Sequence, residues 1–142
     1  MSLIIEINIK HMLLEFTVEN YRSFYNKKTI VLEADKALKE CSDTNLFNRN
    51  KYTLLRTIAL YGANSSGKSN FVSAMHAMAR CVLLSVKLND NEELEYDPFL
   101  LLKDNHRSTM FEVVFLKGEY CYRYALSSPP SIHRPSPASA NG

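Results

Sequence analysis

The octapeptide GANSSGKS at residues 62–69 constrains this chain more than any other stretch. It has the form G-x-x-x-x-G-K-[ST], the phosphate-loop pattern. Four specified positions match by chance in about one chain of this length in a few hundred. The pattern also needs a strand ahead of it and a helix behind it. The apolar run 58–61 and the helically spaced stretch 70–87 supply both expectations.

The spacing has a chemical reason. Gly62 lets the chain leave the strand sharply, and Gly67 lets backbone approach an anion with no Cβ in the way. The N–H groups of Ser65, Ser66, Gly67, Lys68 and Ser69 then converge as an anion nest. A helix starting near Lys68 adds its positive end. Lys68 places a full charge on the β- and γ-phosphates, and the Ser69 hydroxyl is the Mg²⁺ ligand. Ala63, Asn64 and Asn70 complete the candidate cofactor contacts. A guanine-reading N-K-x-D element is missing, since NKKT at 26–29 and NKYT at 50–53 both lack the Asp. ATP is therefore the expected nucleotide.

Around this loop the pattern reads as mixed α/β. From Leu14 the residues alternate, with Leu14, Phe16 and Val18 on one face and Glu15, Thr17 and Glu19 on the other. That is a half-buried strand. It runs into NYRSF at 20–24, and residues 29–33 form a second strand paired antiparallel to it. Residues 34–51 read as a polar loop with one helical turn at 36–40. Residues 54–61 read as a third strand. In 70–87, Val72, Met75, Ala79, Val82 and Val86 recur at helical spacing, and Phe71, Ala74, Met78 and Cys81 widen the apolar surface. Such a helix is expected to be buried on more than one side. Residues 89–97 read as an acidic solvated loop, and 99–102 as a short apolar piece after Pro98. Residues 110–116 and 120–126 form a hairpin about Lys117 and Gly118. Phe111, Val113 and Phe115 share one face, and Tyr120, Tyr122 and Tyr124 share another.

The 142 residues suffice for one domain, and a formal net charge of +2 gives no electrostatic argument for nucleic acid. Three cysteines, Cys41, Cys81 and Cys121, with no CxxC pair point to thiols in a reducing, cytoplasmic setting. No stretch approaches the ~18 apolar residues of a membrane span. Residues 1–11 read as a leader or upstream-start remnant, and residues 127–142, rich in Pro and Ser, as a disordered tail. The folded unit is expected over 12–126.

The order MLLEFTVENYRSF, a second strand, then LYGANSSGKSNFVSAM resembles the N-terminus of ABC-type ATPase heads. It is most similar to bacterial AAA-type ATP-binding proteins related to RecF, SMC and OLD-family nucleases. The string at 98–126 is similar to the hairpin after the phosphate-loop helix in that family. The resemblance covers about residues 12–126. It implies a partial P-loop NTPase fold: the N-terminal lobe of an ABC-type head, with strands before the loop, one main buried helix and a following antiparallel hairpin. It also implies that Arg22 lies near the nucleotide phosphates, that Ser23 and Phe24 line the same edge, and that Asn64 faces the γ-phosphate.

The later elements of that family are missing. No apolar run followed by Asp-Glu comes after Ser69. The chain contains no Gln, and its only glycines are Gly62, Gly67, Gly118 and Gly142, which excludes a Gly-Gly signature motif. Neither His106 nor His133 follows an apolar strand. Truncation of a larger head is the simplest expectation. Three readings stand. The first is part of an ATPase that pairs as a homodimer and acts on DNA or through a nuclease effector, in repair or phage defence. The second is a module that holds ATP without hydrolysis and relies on a second ATPase chain. The third is a non-functional remnant.

Overall fold

The structure is a computed structural model, and it describes residues 3–4, 12–35, 42–85, 96–102 and 106–128. The expected helical turn at 36–40, most of the acidic loop, Val86, and the leader and tail except for residues 3–4 and 127–128 lie outside the described residues.

The elements in chain order are β1 (Leu3–Ile4), β2 (Met12–Glu19), β3 (Lys28–Val31), α1 (Ser42–Asn45), β4 (Leu46–Arg49), β5 (Tyr52–Leu55), β6 (Ala59–Leu60), α2 (Lys68–Ser85), β7 (Met110–Lys117) and β8 (Tyr120–Ser127). The architecture is mixed α/β, mostly antiparallel strands with one long helix. The main sheet has the order β3-β2-β7-β8, antiparallel throughout. The expected hairpins at both ends of this sheet form. Two small sheets, β4-β5 and β1-β6, accompany it.

A β-bulge between Leu13 and Glu15 changes the expected faces of β2. The extra residue reverses the alternation at that point. Phe16 and Val18 keep the face toward α2, joined by Leu13, while Leu14 crosses to the opposite side with Met12. The two faces of this strand feed two cores. The first gathers Phe16, Val18, Tyr21, Phe71, Ala74, Met78 and Phe111 between sheet and helix. Phe16 meets Phe71 edge-on at 5.4 Å, and Tyr21 meets Phe111 at 5.3 Å. The second gathers Met12, Leu14, Leu54, Val114 and Leu116 under the β4-β5 hairpin. Each fully buried aliphatic or aromatic side chain contributes about 1.5–3 kcal/mol.

The helix presents one buried stripe, Phe71, Ala74, Met78 and Cys81. Among the described residues nothing covers a second side: Ala79, Val82 and Leu83 are exposed, Leu83 to 69%. The spacing rule finds both stripes, and only packing partners decide between them. Leu100 and Leu101, in the expected apolar piece, are also exposed.

The expected strand 54–61 is two pieces. Asn45 interrupts it by acting as a strand partner itself. Its Nδ2 donates to Thr57 O at 3.0 Å, and its Oδ1 accepts from Thr57 N at 2.8 Å. Its carbonyl accepts from Arg56 N at 2.8 Å. The expected loop 34–51 likewise contains structure, namely α1 and β4. Asn50 takes a positive φ of 54° to close the β4-β5 turn, a conformation that Asn tolerates better than most residues.

Register across the β7-β8 turn brings Phe115 opposite Tyr122 and Val113 opposite Tyr124. Directly opposed residues share a face, so the tyrosine row and the Phe111–Val113–Phe115 row lie on the same side. Phe115 and Tyr122 stack with centroids 5.5 Å apart.

Candidate phosphate-binding site

The candidate loop leaves β6, crosses the surface and enters α2 at Lys68. Residues 62–66 are exposed, and Gly67 and Lys68 are half-buried. Ser65 and Gly67 take positive φ, 65° and 92°. Alternating backbone handedness of this kind turns successive N–H groups toward one concavity. Inside the turn, Ser66 N donates to Ala63 O at 3.3 Å, and the first helical bond runs from Phe71 N to Gly67 O at 3.0 Å. The N–H groups at the helix start precede that ladder and have no partner within the helix.

Lys68 curls back over the loop. Its Nζ donates to Gly62 O and Ala63 O, both at 2.7 Å, and to Ser66 Oγ at 3.2 Å. The ammonium thus sits over the ring of residues that the motif defines. The first turn of α2 carries no acidic side chain. Nothing in that turn offsets the positive helix end, which favours an anion there. Ser69 presents an exposed hydroxyl one residue further on, and Asn64 is exposed at the loop tip.

A second turn, residues 20–25, supports the loop from beside it. Tyr21 and Phe24 exchange backbone bonds of 2.9 and 2.8 Å. Asn20 and Arg22 take positive φ of 49° and 47°. Ser23 Oγ accepts from Asn70 Nδ2 at 2.9 Å, and Phe24 lies edge-on to Phe71 with centroids 6.1 Å apart. A Cβ at Gly67 would stand 3.0 Å from Ser23 Oγ and 3.3 Å from the Phe24 ring. The two turns are in contact, and Gly67 is the contact point.

Arg22 belongs to this second turn, but its side chain is held by Asp97. Nε and Nη2 reach Asp97 Oδ2 at 2.9 and 2.8 Å, and Arg22 N donates to Asp97 O at 2.8 Å. The hydrogen bond to Asp97, with help from Tyr21, raises the guanidinium's affinity for its proton further. The contiguous set Gly62, Ala63, Asn64, Ser65, Ser66, Gly67, Lys68, Ser69 and Asn70 is brought together. Arg22 is adjacent, through Ser23.

Sequence reasoning missed Asn20 and Asp97. Asn20 is fully buried. Its Nδ2 donates to Arg107 O at 2.6 Å, its Oδ1 accepts from Phe99 N at 3.3 Å, and its carbonyl accepts from Thr109 Oγ1 at 2.7 Å. This one residue ties the end of β2 to segments 79 to 89 positions away. No local pattern signals such a role.

Comparison of the chain with protein-family models, with curated proteins and with solved structures finds no match. Among the described residues no group of three or more His, Cys, Asp or Glu could hold a metal ion, and no helix is long and apolar enough to cross a membrane.

Proposed function

We propose that this chain binds a nucleoside triphosphate, ATP with Mg²⁺, through residues 62–69, as the N-terminal portion of an ABC- or AAA-type ATPase head. The observation that carries the reading is the position of Lys68. Its ammonium lies over a loop with positive φ at Ser65 and Gly67, at the start of a helix free of acidic residues in its first turn. A motif turn with an incidental lysine has no need of that arrangement.

The fit to a triphosphate is specific in its donors. Residues 65–69 supply backbone N–H groups, Lys68 supplies the mobile charge, and the Ser69 hydroxyl supplies one oxygen to the cation. Mg²⁺ takes its remaining ligands from phosphate oxygens and water, as it commonly does. On binding, Lys68 exchanges the carbonyls of Gly62 and Ala63 for phosphate oxygens. Arg22 can join only by leaving Asp97.

Holding the triphosphate and cleaving it are separate tasks. Hydrolysis needs a group that positions the attacking water, and the motifs of this chain include none. Turnover therefore relies on residues from a partner chain or a further segment, and a homodimer or a second ATPase chain is the partner proposed. The downstream target, DNA or a nuclease effector in repair or phage defence, follows from the resemblance alone.

Calorimetric titration of Mg-ATP into the chain and into Lys68→Ala tests the site, with phosphate release followed in parallel. Binding by the parent, lost in the variant, with negligible release from either, is expected. Equal binding by both proteins, or release that survives the substitution, overturns it.

A further inference from the structure

Arg22 stands one residue from the 62–69 loop, because its neighbour Ser23 accepts from Asn70 Nδ2 at 2.9 Å and lies against Gly67. Its guanidinium is nevertheless turned to Asp97. Nε and Nη2 both reach the same carboxylate oxygen, Oδ2, at 2.9 and 2.8 Å. That contact uses one oxygen and lacks the parallel two-oxygen fork that makes arginine–carboxylate pairs strong. Both side chains are also open to water, 42% for Arg22 and 51% for Asp97. Such a pair is screened and contributes little, so it exchanges at low cost.

Asp97 itself is fixed in place. Its carbonyl accepts from Arg22 N at 2.8 Å. On one side of it Tyr96 packs against the core between sheet and helix. On the other, Phe99 N donates to Asn20 Oδ1 at 3.3 Å, and the Phe99 ring meets Tyr25 with centroids 5.5 Å apart. The carboxylate is therefore held beside the loop whether or not the guanidinium stays on it. Arg22 can swing its side chain away without breaking the backbone bond that keeps the two residues together.

We propose that Asp97 sets the affinity of the 62–69 loop for a triphosphate by competing with that ligand for Arg22. The inference rests on the reading of this loop as a triphosphate site. Within residues 62–70 Lys68 is the only cation, and one ammonium does not balance the charge of a magnesium-bound triphosphate. A phosphate group offers Arg22 two oxygens in the fork geometry that Asp97 does not provide. Each binding event therefore includes an exchange, in which the guanidinium gives up a carboxylate oxygen and takes phosphate oxygens. The stronger the hold of Asp97, the weaker the net binding. Asp97 is a positioning residue here, since it acts through Arg22 and touches no phosphate.

Calorimetric titration of Mg-ATP, and of inorganic triphosphate with Mg²⁺, into the full chain, Asp97→Asn, Arg22→Gln and the double variant tests it. Asp97→Asn should bind both ligands about three- to fivefold more tightly than the parent, where a purely structural role would weaken binding. Most of that gain should vanish in the Arg22→Gln background. A direct repulsion of the ligand by Asp97 would survive there, and competition for Arg22 cannot. Circular dichroism checks the fold of each variant. A second readout uses the unchanged chain: the Arg22 Nε–H resonance, hydrogen-bonded to Asp97 in the structure, should move when inorganic triphosphate binds. Binding that depends on Lys68 but is not tightened by Asp97→Asn overturns this inference alone. So does a gain kept in full without Arg22, or an Arg22 resonance that stays in place while ligand binds. A parent chain that binds neither ligand overturns the triphosphate reading and this inference with it.

Discussion

Asn70 Nδ2 donates to Ser23 Oγ across 2.9 Å, joining the first turn of α2 to a turn 47 positions earlier in the chain. This bond and the Gly67–Ser23 contact mean that the 62–69 loop does not stand alone on the surface. It leans on the end of β2.

Gly67 should be the least replaceable glycine of the loop. Gly67→Ala puts a Cβ 3.0 Å from Ser23 Oγ at a φ of 92°, so strain and crowding act together. A cost of about 2–3 kcal/mol is expected. Gly118 also has positive φ, 63°, but open space around it, so Gly118→Ala should cost about 1 kcal/mol. Urea midpoints of the two variants check the order. A Gly67→Ala protein as stable as Gly118→Ala contradicts the packing described.

Lys68→Ala should separate function from stability. The lysine's partners are exposed loop atoms, so the change in unfolding free energy should stay within about 0.5 kcal/mol. Triphosphate affinity should fall by at least tenfold, about 1.4 kcal/mol or more. Thermal unfolding and titration on one preparation measure both. A large loss of stability would mean that the lysine is a structural clamp.

Asn20→Leu should be among the most damaging polar substitutions. The side chain satisfies Arg107 O and Phe99 N in a fully buried position. Leucine leaves both without that partner and is poorly suited to a φ of 49°. A cost of about 2–4 kcal/mol is expected. Denaturant unfolding measures the size of the loss, and Asn20→Gly, which relieves φ only, should recover a small part of it.

Burial raises the proton affinity of three groups around the helix: the Cys81 thiol and the Tyr21 and Tyr96 hydroxyls. Desolvation is the main cause for each. For Cys81 the Tyr96 hydroxyl and the Arg80 charge pull the other way, and for Tyr21 the Arg22 charge does. A raised folded-state value means that the native state keeps protons the unfolded chain releases. The stabilisation is whole below the ordinary values of 9.0 for Cys and 10.0 for Tyr, and is lost as pH climbs through the raised ones. Melting temperature should therefore decline on the alkaline side from about pH 9, less steeply in Cys81→Ala than in the parent. At pH 8, iodoacetamide should label exposed Cys121 well before buried Cys81. Peptide mapping reads the ratio, and equal labelling refutes the burial.

The sequence made the local features legible and left the distant ones hidden. Alternation along 110–116, 120–126 and 14–18 is enough to read β7, β8 and β2, though not the face that Leu14 takes, and a strand and a helix are legible on either side of GANSSGKS. The hairpin β4-β5 was hidden because strands of four residues are too short to show a period, and Leu54 becomes core only where Met12 and Leu14 reach it. The break at Arg56 depends on an Asn45 side chain imitating backbone, which no periodicity reports. Only the family resemblance pointed to Arg22 beside the loop, and Asp97, which holds it, lies 75 positions away. Choosing between the two apolar stripes of α2 required knowing what faces them.

The bulge at Leu14 has a last consequence. A strand between two interiors sends alternate residues to each, and at the bulge β2 sends Leu14 as an extra residue to the β4-β5 side. Deleting Leu14 would restore a regular ladder, leave Met12 and Leu13 on their present faces opposite Leu116 and Phe115, and take one side chain out of the core under β4-β5. The half of the strand that carries Asn20 and the NYRSF turn would be untouched in its register. Evolution, or an engineer, could thus retune the β4-β5 side of the molecule at this one position without moving the platform on which the 62–69 loop rests.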